Sequence, residues 1–257
     1  MILTRRVSLG GVLLDELHPA IVIRSVDPGV PKETVSAVDR MGGYGQRVTG
    51  QHWQTLEASV TFAIDVGKRQ MALRREIFEM VTAWANRKGY LTISWMKGRR
   101  MYVDKTVIPG SGDLWNWTDE YTIVFRAYNQ PYWENISATS AVSKTATHAT
   151  LTVPVLGNAP SVLDVSFRNM SGMSVNSFWV ETGSNRITLS NLGLGGSATL
   201  TISHGTSGLL AIKAGSTSVY SKYTGADDLY VNPDAASVTF QASRAGILTV
   251  TNRGRWV

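Results

Sequence analysis

Past position 148 the chain holds nine short runs of strand-forming residues and no segment of helical periodicity. The runs cover 149–155, 162–167, 177–181, 186–189, 198–203, 209–214, 218–223, 237–242 and 246–251, with Gly, Asn, Ser or Pro in nearly every gap. Each such strand must bury one face against a second sheet and reverse tightly before the next begins. Even spacing with turn residues between therefore predicts an antiparallel sandwich or barrel.

The first half reads differently. Residues 7–14 and 20–26 alternate as two strands separated by His18-Pro19, and 53–64 resumes a strand through Leu56, Ala58, Val60, Phe62 and Ile64. Between them, 27–50 loses its pattern in Pro28, Gly29, Pro31 and Gly42-Gly43-Tyr44-Gly45. A loop of that length in a compact domain is usually functional, so we read it as an interaction arm, with Pro31, Arg40, Tyr44 and Arg47 as its candidate interface residues. Residues 68–88 predict the one helix: Leu73, Ile77, Met80, Val81 and Trp84 recur at three- and four-residue spacing, Arg74, Arg75 and Glu79 fall off that face, and Gly89 is placed for a left-handed C-cap. A hairpin over 90–107, turning at 97–99, and a strand over 121–128 with Ile123 and Phe125 inward complete a β-module with one helix packed on a sheet.

A chain of 257 residues buries about 70% or more of its unfolded surface, enough for two domains without staples. With no cysteine it must hold by packing and hydrogen bonds. The formal charge of +6 divides equally between 1–137 and 138–257, and the basic clusters, Arg5-Arg6, Lys68-Arg69, Arg74-Arg75, Arg99-Arg100 and Arg253/Arg255, are short. Phosphate neutralisation needs several cations in reach of one backbone, so these read as solvated faces or interface rims and specific nucleic-acid binding is not expected. The apolar run 7–14 is broken by Gly10-Gly11 and Asp15-Glu16 before it could serve for export, and nothing approaches the roughly 20 apolar residues of a membrane span. We expect a soluble protein made in the cytosol, in which Asn116, Asn135 and Asn169 are not glycosylated.

Candidate chemistry is thin. Ser94 and Lys97 match a Ser-x-x-Lys spacing, but on a hairpin that offset places them on opposite faces. Asp113, Asp119 and Glu120 flank Trp115 and Trp117, a pattern open to a glycosidase reading, yet acids beside a Pro-Gly turn are ordinary and nothing fixes their separation. His18, His52, His148 and His204 lack metal-ligand spacing, Ser203 and His204 are neighbours that point apart on a strand, and the glycine clusters fit neither phosphate-binding spacing. No catalytic, cofactor or metal site is assigned, and the chain is expected not to be an enzyme.

The aromatic-rich stretch 108–133, closing on Gln130-Pro131-Tyr132-Trp133, reads as the seam between modules 1–137 and 138–257, with Trp115, Trp117, Tyr132 and Trp133 as boundary aromatics. Pro131-Tyr132-Trp133, the run Val153-Pro154-Val155-Leu156-Gly157-Asn158-Ala159-Pro160 and the terminal Arg253-Gly254-Arg255-Trp256 resemble the distal tail (Dit) proteins of siphophage-type bacteriophages. One departure is Asn232-Pro233-Asp234, where the family often has a Pro-Gly turn. The resemblance implies a mainly β fold whose second module is a galectin-like β-sandwich. It also implies a structural virion protein at the distal end of the tail: a homo-hexameric adaptor ring between the tail tube and the tail-tip or baseplate hub protein, N-terminal modules forming the ring around a channel for DNA. It does not import sugar binding, because no His-Asn-Arg plus Trp-Glu-Arg set is evident in the second module. The alternatives are a carbohydrate-binding adhesion module acting through Trp115, Trp117 or the C-terminal sandwich on a host glycan, and a hydrolase using the acids near Asp113.

Overall fold

The computed structural model describes residues 5–31, 33–39, 46–67, 69–108, 120–183, 185–205, 209–233 and 236–257, in two compact units, Met1–Trp133 and Glu134–Val257. The expected seam at 137/138 lies four residues past that division.

In the first unit, β1 (Val7–Leu9) and β2 (Val12–Leu13) form a tight hairpin through Gly10 and Gly11, both at positive φ. β3 (Ile21–Asp27) is followed by β4 (Glu33–Asp39), β5 (Gln46–Trp53) and β6 (Leu56–Ile64). The segment expected to be an unpatterned loop is thus, where described, a β-hairpin: β4 and β5 pair from Glu33↔Trp53 to Asp39↔Gln46, with a bulge between Ser36 and Ala37. It escapes a periodicity argument because Val35, Ser36 and Ala37 are all exposed, so no buried face imprints an alternation.

Helix α1 (Met71–Ala85) is shorter than the predicted 68–88. It ends at Asn86 (φ −78, ψ −2), whose N–H bonds Thr82 O at 3.0 Å, and Gly89 opens the next strand instead of capping the helix. Its buried stripe is Arg74, Ile77, Phe78, Val81, Trp84 and Ala85, whereas Met80, expected inward, is 37% exposed. That stripe follows the i, i+3, i+4 row, from which position 80 falls away. β7 (Gly89–Ile93), β8 (Arg99–Val103), β9 (Lys105–Val107) and β10 (Glu120–Ala127) follow, and β11 (Trp133–Asn135) carries the chain out of the unit.

These strands make one sheet containing β2-β1-β7-β8 and another ordered β3-β6-β10-β9. β10 alternates strictly: Tyr121, Ile123, Phe125 and Ala127 are buried, Ile123 and Phe125 as expected. α1 packs on that face, with Trp84 edge-on to Phe125 at 5.8 Å between centroids and Phe78 tilted on Tyr121 at 5.4 Å. The indole N–H of Trp84 donates to Val12 O at 2.8 Å, tying the helix to β2 as well.

The second unit has no α-helix among its described residues. Its strands are β12 (Thr139–Val142), β13 (Ala146–Thr152), β14 (Ser161–Asn169), β15 (Phe178–Thr182), β16 (Asn185–Leu189), β17 (Thr199–His204), β18 (Leu210–Ala214), β19 (Thr217–Ser218), β20 (Tyr223–Gly225), β21 (Tyr230–Val231), β22 (Ser237–Asn252) and β23 (Arg255–Trp256). The two expected strands at 237–242 and 246–251 are one strand of 16 residues. Its first part pairs with β13 and β15, its second with β12 and β14, so one strand passes between the two halves of a curled sandwich. Gly246 permits the passage: a Cβ there would lie 2.3 Å from Phe167 Cζ. The core is a continuous apolar cluster around Phe167, Phe178 and Phe240, whose centroids are 5.0 to 6.4 Å apart. The expected strand at 218–223 is instead a two-residue strand, a 3₁₀ turn at Tyr220–Lys222 and the start of β20.

Two polar groups shape the ends of this sandwich. Asn169 is fully buried; its amide nitrogen lies 2.8 Å from Met173 O, 3.0 Å from Gly195 O and 3.1 Å from Leu194 O, and its oxygen accepts from the Ser171 N–H and hydroxyl. A side chain so engaged closes two loops and is withdrawn from any glycosylating enzyme. The Tyr223 hydroxyl donates to Ala226 O and lies 3.3 Å from Asp227 Oδ1. Burial, reinforced by the Asp227 carboxylate, pushes its pKa up to about 12.

The folded state keeps a proton that an unfolded tyrosine loses near pH ~10. This contribution to stability is therefore complete below pH ~10 and is lost as pH rises through ~12, amounting after solvent screening to no more than about 1 kcal/mol. Ultraviolet titration of the folded protein is expected to include a late ionisation step from Tyr223, near pH 12. Tyr223→Phe should remove that late step along with its share of the alkaline loss of stability; an unchanged titration would contradict the assignment.

Candidate interaction surfaces

The take-off of the β4–β5 hairpin is rigidly built. Asp27 Oδ1 accepts the Gly29 N–H at 2.9 Å in an Asx turn, and Gly29 has φ +63; a Cβ at that position would lie 1.8 Å from Glu57 O. Pro31 is buried two residues before β4 begins. Trp133, 3% exposed, donates its indole N–H to Pro28 O at 3.1 Å, and Tyr132 meets Trp53, the last residue of β5, edge-on at 6.4 Å. The Pro-Tyr-Trp exit thus serves as the root of the hairpin. Of the residues expected at the arm and the boundary, Tyr132 and Trp133 meet Trp53 and Pro28 at the two ends of the hairpin, and Pro31 is buried just before β4. Arg47 lies in β5 opposite Val38, while Arg40, Tyr44, Trp115 and Trp117 lie outside the described residues, as does Asp113.

Beyond that root, β4 and β5 pair with each other in a sheet of two strands. Seven residues at about 3.3 Å each give the ribbon a reach of about 23 Å. An isolated two-stranded ribbon is marginally stable in water, which makes this one a surface that gains from cover.

The other motifs behind the resemblance also converge. The Asn135 N–H donates to Gly254 O at 2.9 Å, Asn158 N–H and Ala159 N–H reach Arg255 O at 3.0 and 3.1 Å, and Trp256 Nε1 donates to Asn135 Oδ1 at 3.0 Å. The runs around 153–160 and 253–256 therefore clasp the first residues of the second unit. Here the backbones touch so closely that a Cβ on Gly254 would sit 1.3 Å from Leu156 O.

Of the residues weighed for catalysis, Asp113 and Asp119 lie outside the described residues. Ser94 and Lys97 lie in the turn between β7 and β8, and Ser94 Oγ accepts the Arg6 N–H at 3.1 Å. Glu120 heads β10 with Arg24 at 4.0 Å. Among the described residues no group of three or more His, Cys, Asp or Glu is placed to hold a metal, and no helix is long and apolar enough to cross a membrane.

One constellation escaped the sequence reading. On the outer face of the second unit, Trp179 and Glu181 of β15 stand beside Arg186 of β16, Gln241 of β22 and His148 of β13. Registered pairing puts them in two rows, His148↔Gln241↔Trp179↔Thr188 and Thr239↔Glu181↔Arg186. The spacing Trp179-x-Glu181 was the available signal; the partners from 148 and 241 are visible only once the strands are paired.

These observations define a mainly β protein of two units, a helix-bearing module followed by an all-β sandwich. A solved phage distal tail protein has a similar fold. The solved SPP1 Dit (gp 19.1) protein, described as a paradigm of the hub adsorption apparatus in phages infecting Gram-positive hosts, superposes with a TM-score of 0.69 at 12% identity, over 99% of this chain and 100% of that one. Chains of the phage p2 baseplate in its activated conformation, with Sr and with Ca, match at TM-scores of 0.45 and 0.44 with 7% and 6% identity, covering 96% of this chain and 98% of theirs. No protein-family profile matches the sequence, and no curated protein matches it.

Proposed function

We propose that the chain is a structural, non-catalytic virion protein of the phage tail adsorption apparatus. In this reading it is a homo-hexameric adaptor ring joining the tail tube to the tail-tip or baseplate hub and leaving a channel for DNA. The observation that carries this reading is the end-to-end likeness in fold to SPP1 Dit, spanning both units. The β4–β5 ribbon supports its assembly: a closed ring needs heterologous contacts between copies, and a two-stranded ribbon on a fixed root suits a clasp on the neighbour. The channel should not grip DNA, since each cation meeting a phosphate adds salt-sensitive affinity. On the outer face of β3-β6-β10-β9, Arg126 pairs with Glu57 at 2.8 Å and Arg24 with Glu120 at 4.0 Å.

Light scattering and negative-stain imaging of the purified protein test the reading. Sixfold rings of six 28.0 kDa chains are expected, and replacing residues 33–53 by a short Gly-Ser turn should leave folded monomers. A strict monomer, even at high concentration and with tube protein added, would overturn the ring; rings that persist without the ribbon would overturn its role as the clasp.

A further inference from the structure

Strand β13 has an open side: it pairs with β22 and with no other strand among the described residues. The other strands of this unit with a single partner there, β12, β19, β20, β21 and β23, are four residues long or shorter, whereas β13 runs for seven. Long open edges are normally blunted by a charge, a proline or a bulge, because their unpaired backbone groups invite another strand. Ala146–Thr152 contains no Asp, Glu, Lys, Arg or Pro. Its one register shift falls between Ala146 and His148, leaving 148–152 in regular pairing.

The open backbone groups follow from one hydrogen bond. The Val153 N–H donates to Ala236 O at 2.7 Å, toward β22. Backbone direction alternates along a strand, so Ala149 and Leu151 also face β22, and the N–H and C=O of His148, Thr150 and Thr152 point to the open side. That set is symmetric about Thr150. A second β13 laid antiparallel about a two-fold axis at Thr150 sets Thr150 opposite Thr150 and His148 opposite Thr152, and each pair exchanges both of its hydrogen bonds. Sliding the partner along by one repeat loses a pair, because it recruits either Ala146, beyond the register shift, or Pro154, which has no N–H.

The side chains agree with this register. Thr150 Oγ1 and Thr239 Oγ1 are 2.9 Å apart within the chain, so a hydroxyl row runs Thr239, Thr150, Thr150, Thr239 across the axis. The next row runs Gln241, His148, Thr152, Ser237, all hydrogen-bonding groups with no carboxylate or ammonium among them. On the inward face Ala149 meets Leu151, which prolongs the apolar core. An uncharged edge whose rows complement themselves suits its own copy.

We propose that the C-terminal units of two chains associate edge to edge through β13, about a two-fold axis at Thr150. Neighbours in a sixfold ring are not related by a two-fold axis, so this contact is separate from the ring contact proposed above and does not depend on it.

Sedimentation velocity of the full chain over a concentration series tests the pairing. The smallest species, six chains if the ring closes and one if it does not, is expected to double, so failure of the ring and failure of this contact give different patterns. An interface of this kind, under about 1,200 Å², is weak, and the doubling is expected near roughly 100 μM. Thr150 is exposed, so Thr150→Lys should keep the circular dichroism spectrum of the parent while setting like charges face to face on the axis, weakening the association by about tenfold or more. Thr217→Lys, exposed on β19, should leave it unchanged. Hydrogen exchange resolved to single amides gives an independent readout. Protection of the His148, Thr150 and Thr152 amides should rise with concentration, while Ala149 and Leu151 are protected throughout. No doubling up to about 1 mM, an equal loss in Thr217→Lys, doubling that survives Thr150→Lys, or unchanged exchange at those three amides would each overturn the contact.

Discussion

Gly254→Val is expected to destabilise the C-terminal unit by about 4 kcal/mol and to lower its melting temperature by roughly 15 °C. The added Cβ would fall 1.3 Å from Leu156 O, 2.3 Å from the carbonyl carbon and 2.8 Å from Asn135 Nδ2. Two of those obstacles are backbone atoms, so no rotamer change relieves the overlap. The 156–159 segment would have to withdraw, breaking the bonds that Asn158 and Ala159 make to Arg255 O. Gly195→Ala supplies the control, since a Cβ there meets nothing within 4 Å and the effect should stay within about 0.5 kcal/mol. Thermal unfolding followed by circular dichroism checks both. A Gly254→Val protein that melts with the parent would mean that the clasp between 135, 156–159 and 254–256 does not hold the unit together.

Trp84→Ala should cost the N-terminal unit about 4 kcal/mol, the usual scale for emptying a buried tryptophan site. The side chain is 1% exposed, its ring is edge-on to Phe125, and its N–H is bonded to Val12 O. Removal leaves a cavity between α1 and β10 and deprives a carbonyl of its donor. Trp84→Phe, which restores most of the volume but not the N–H, should lose about half as much. Peptide-level hydrogen exchange gives the most direct reading: protection should fall in α1, β2 and β10 while β14 and β22 keep theirs. Equal loss of protection across both units would show that they unfold as one body.

What could be read from the chain itself followed local burial contrast. β10 was legible because Tyr121, Ile123 and Phe125 alternate with exposed neighbours, and α1 because its apolar row recurs at helical spacing, although Met80 and Arg74 exchanged places across the boundary of that row. The hairpin at 33–53 was not legible as strands, because Val35 to Ala37 show no buried face and strand pairing needs none to exist as a ribbon. β22 looked like two strands because Ser243-Arg244-Ala245-Gly246 reads as a turn, and only the position of Phe167, nearly eighty residues earlier, explains why a glycine passes straight through there. The ribbon root was half visible. Tyr132 and Trp133 were marked as boundary aromatics, but their partners Trp53 and Pro28 are supplied by tertiary structure alone. The Trp179 cluster draws on three distant stretches, and no spacing rule links 148, 179–186 and 241.

Asn135, near the beginning of the C-terminal unit, is bonded to Gly254 and Trp256, near its end. The polypeptide thus enters and leaves this unit through the same doorway. A reporter fused after Val257 would emerge beside the connection to the preceding unit, far along the chain from the Gly183 bend joining β15 to β16. Foreign loops meant to extend from the sandwich belong at that exposed bend.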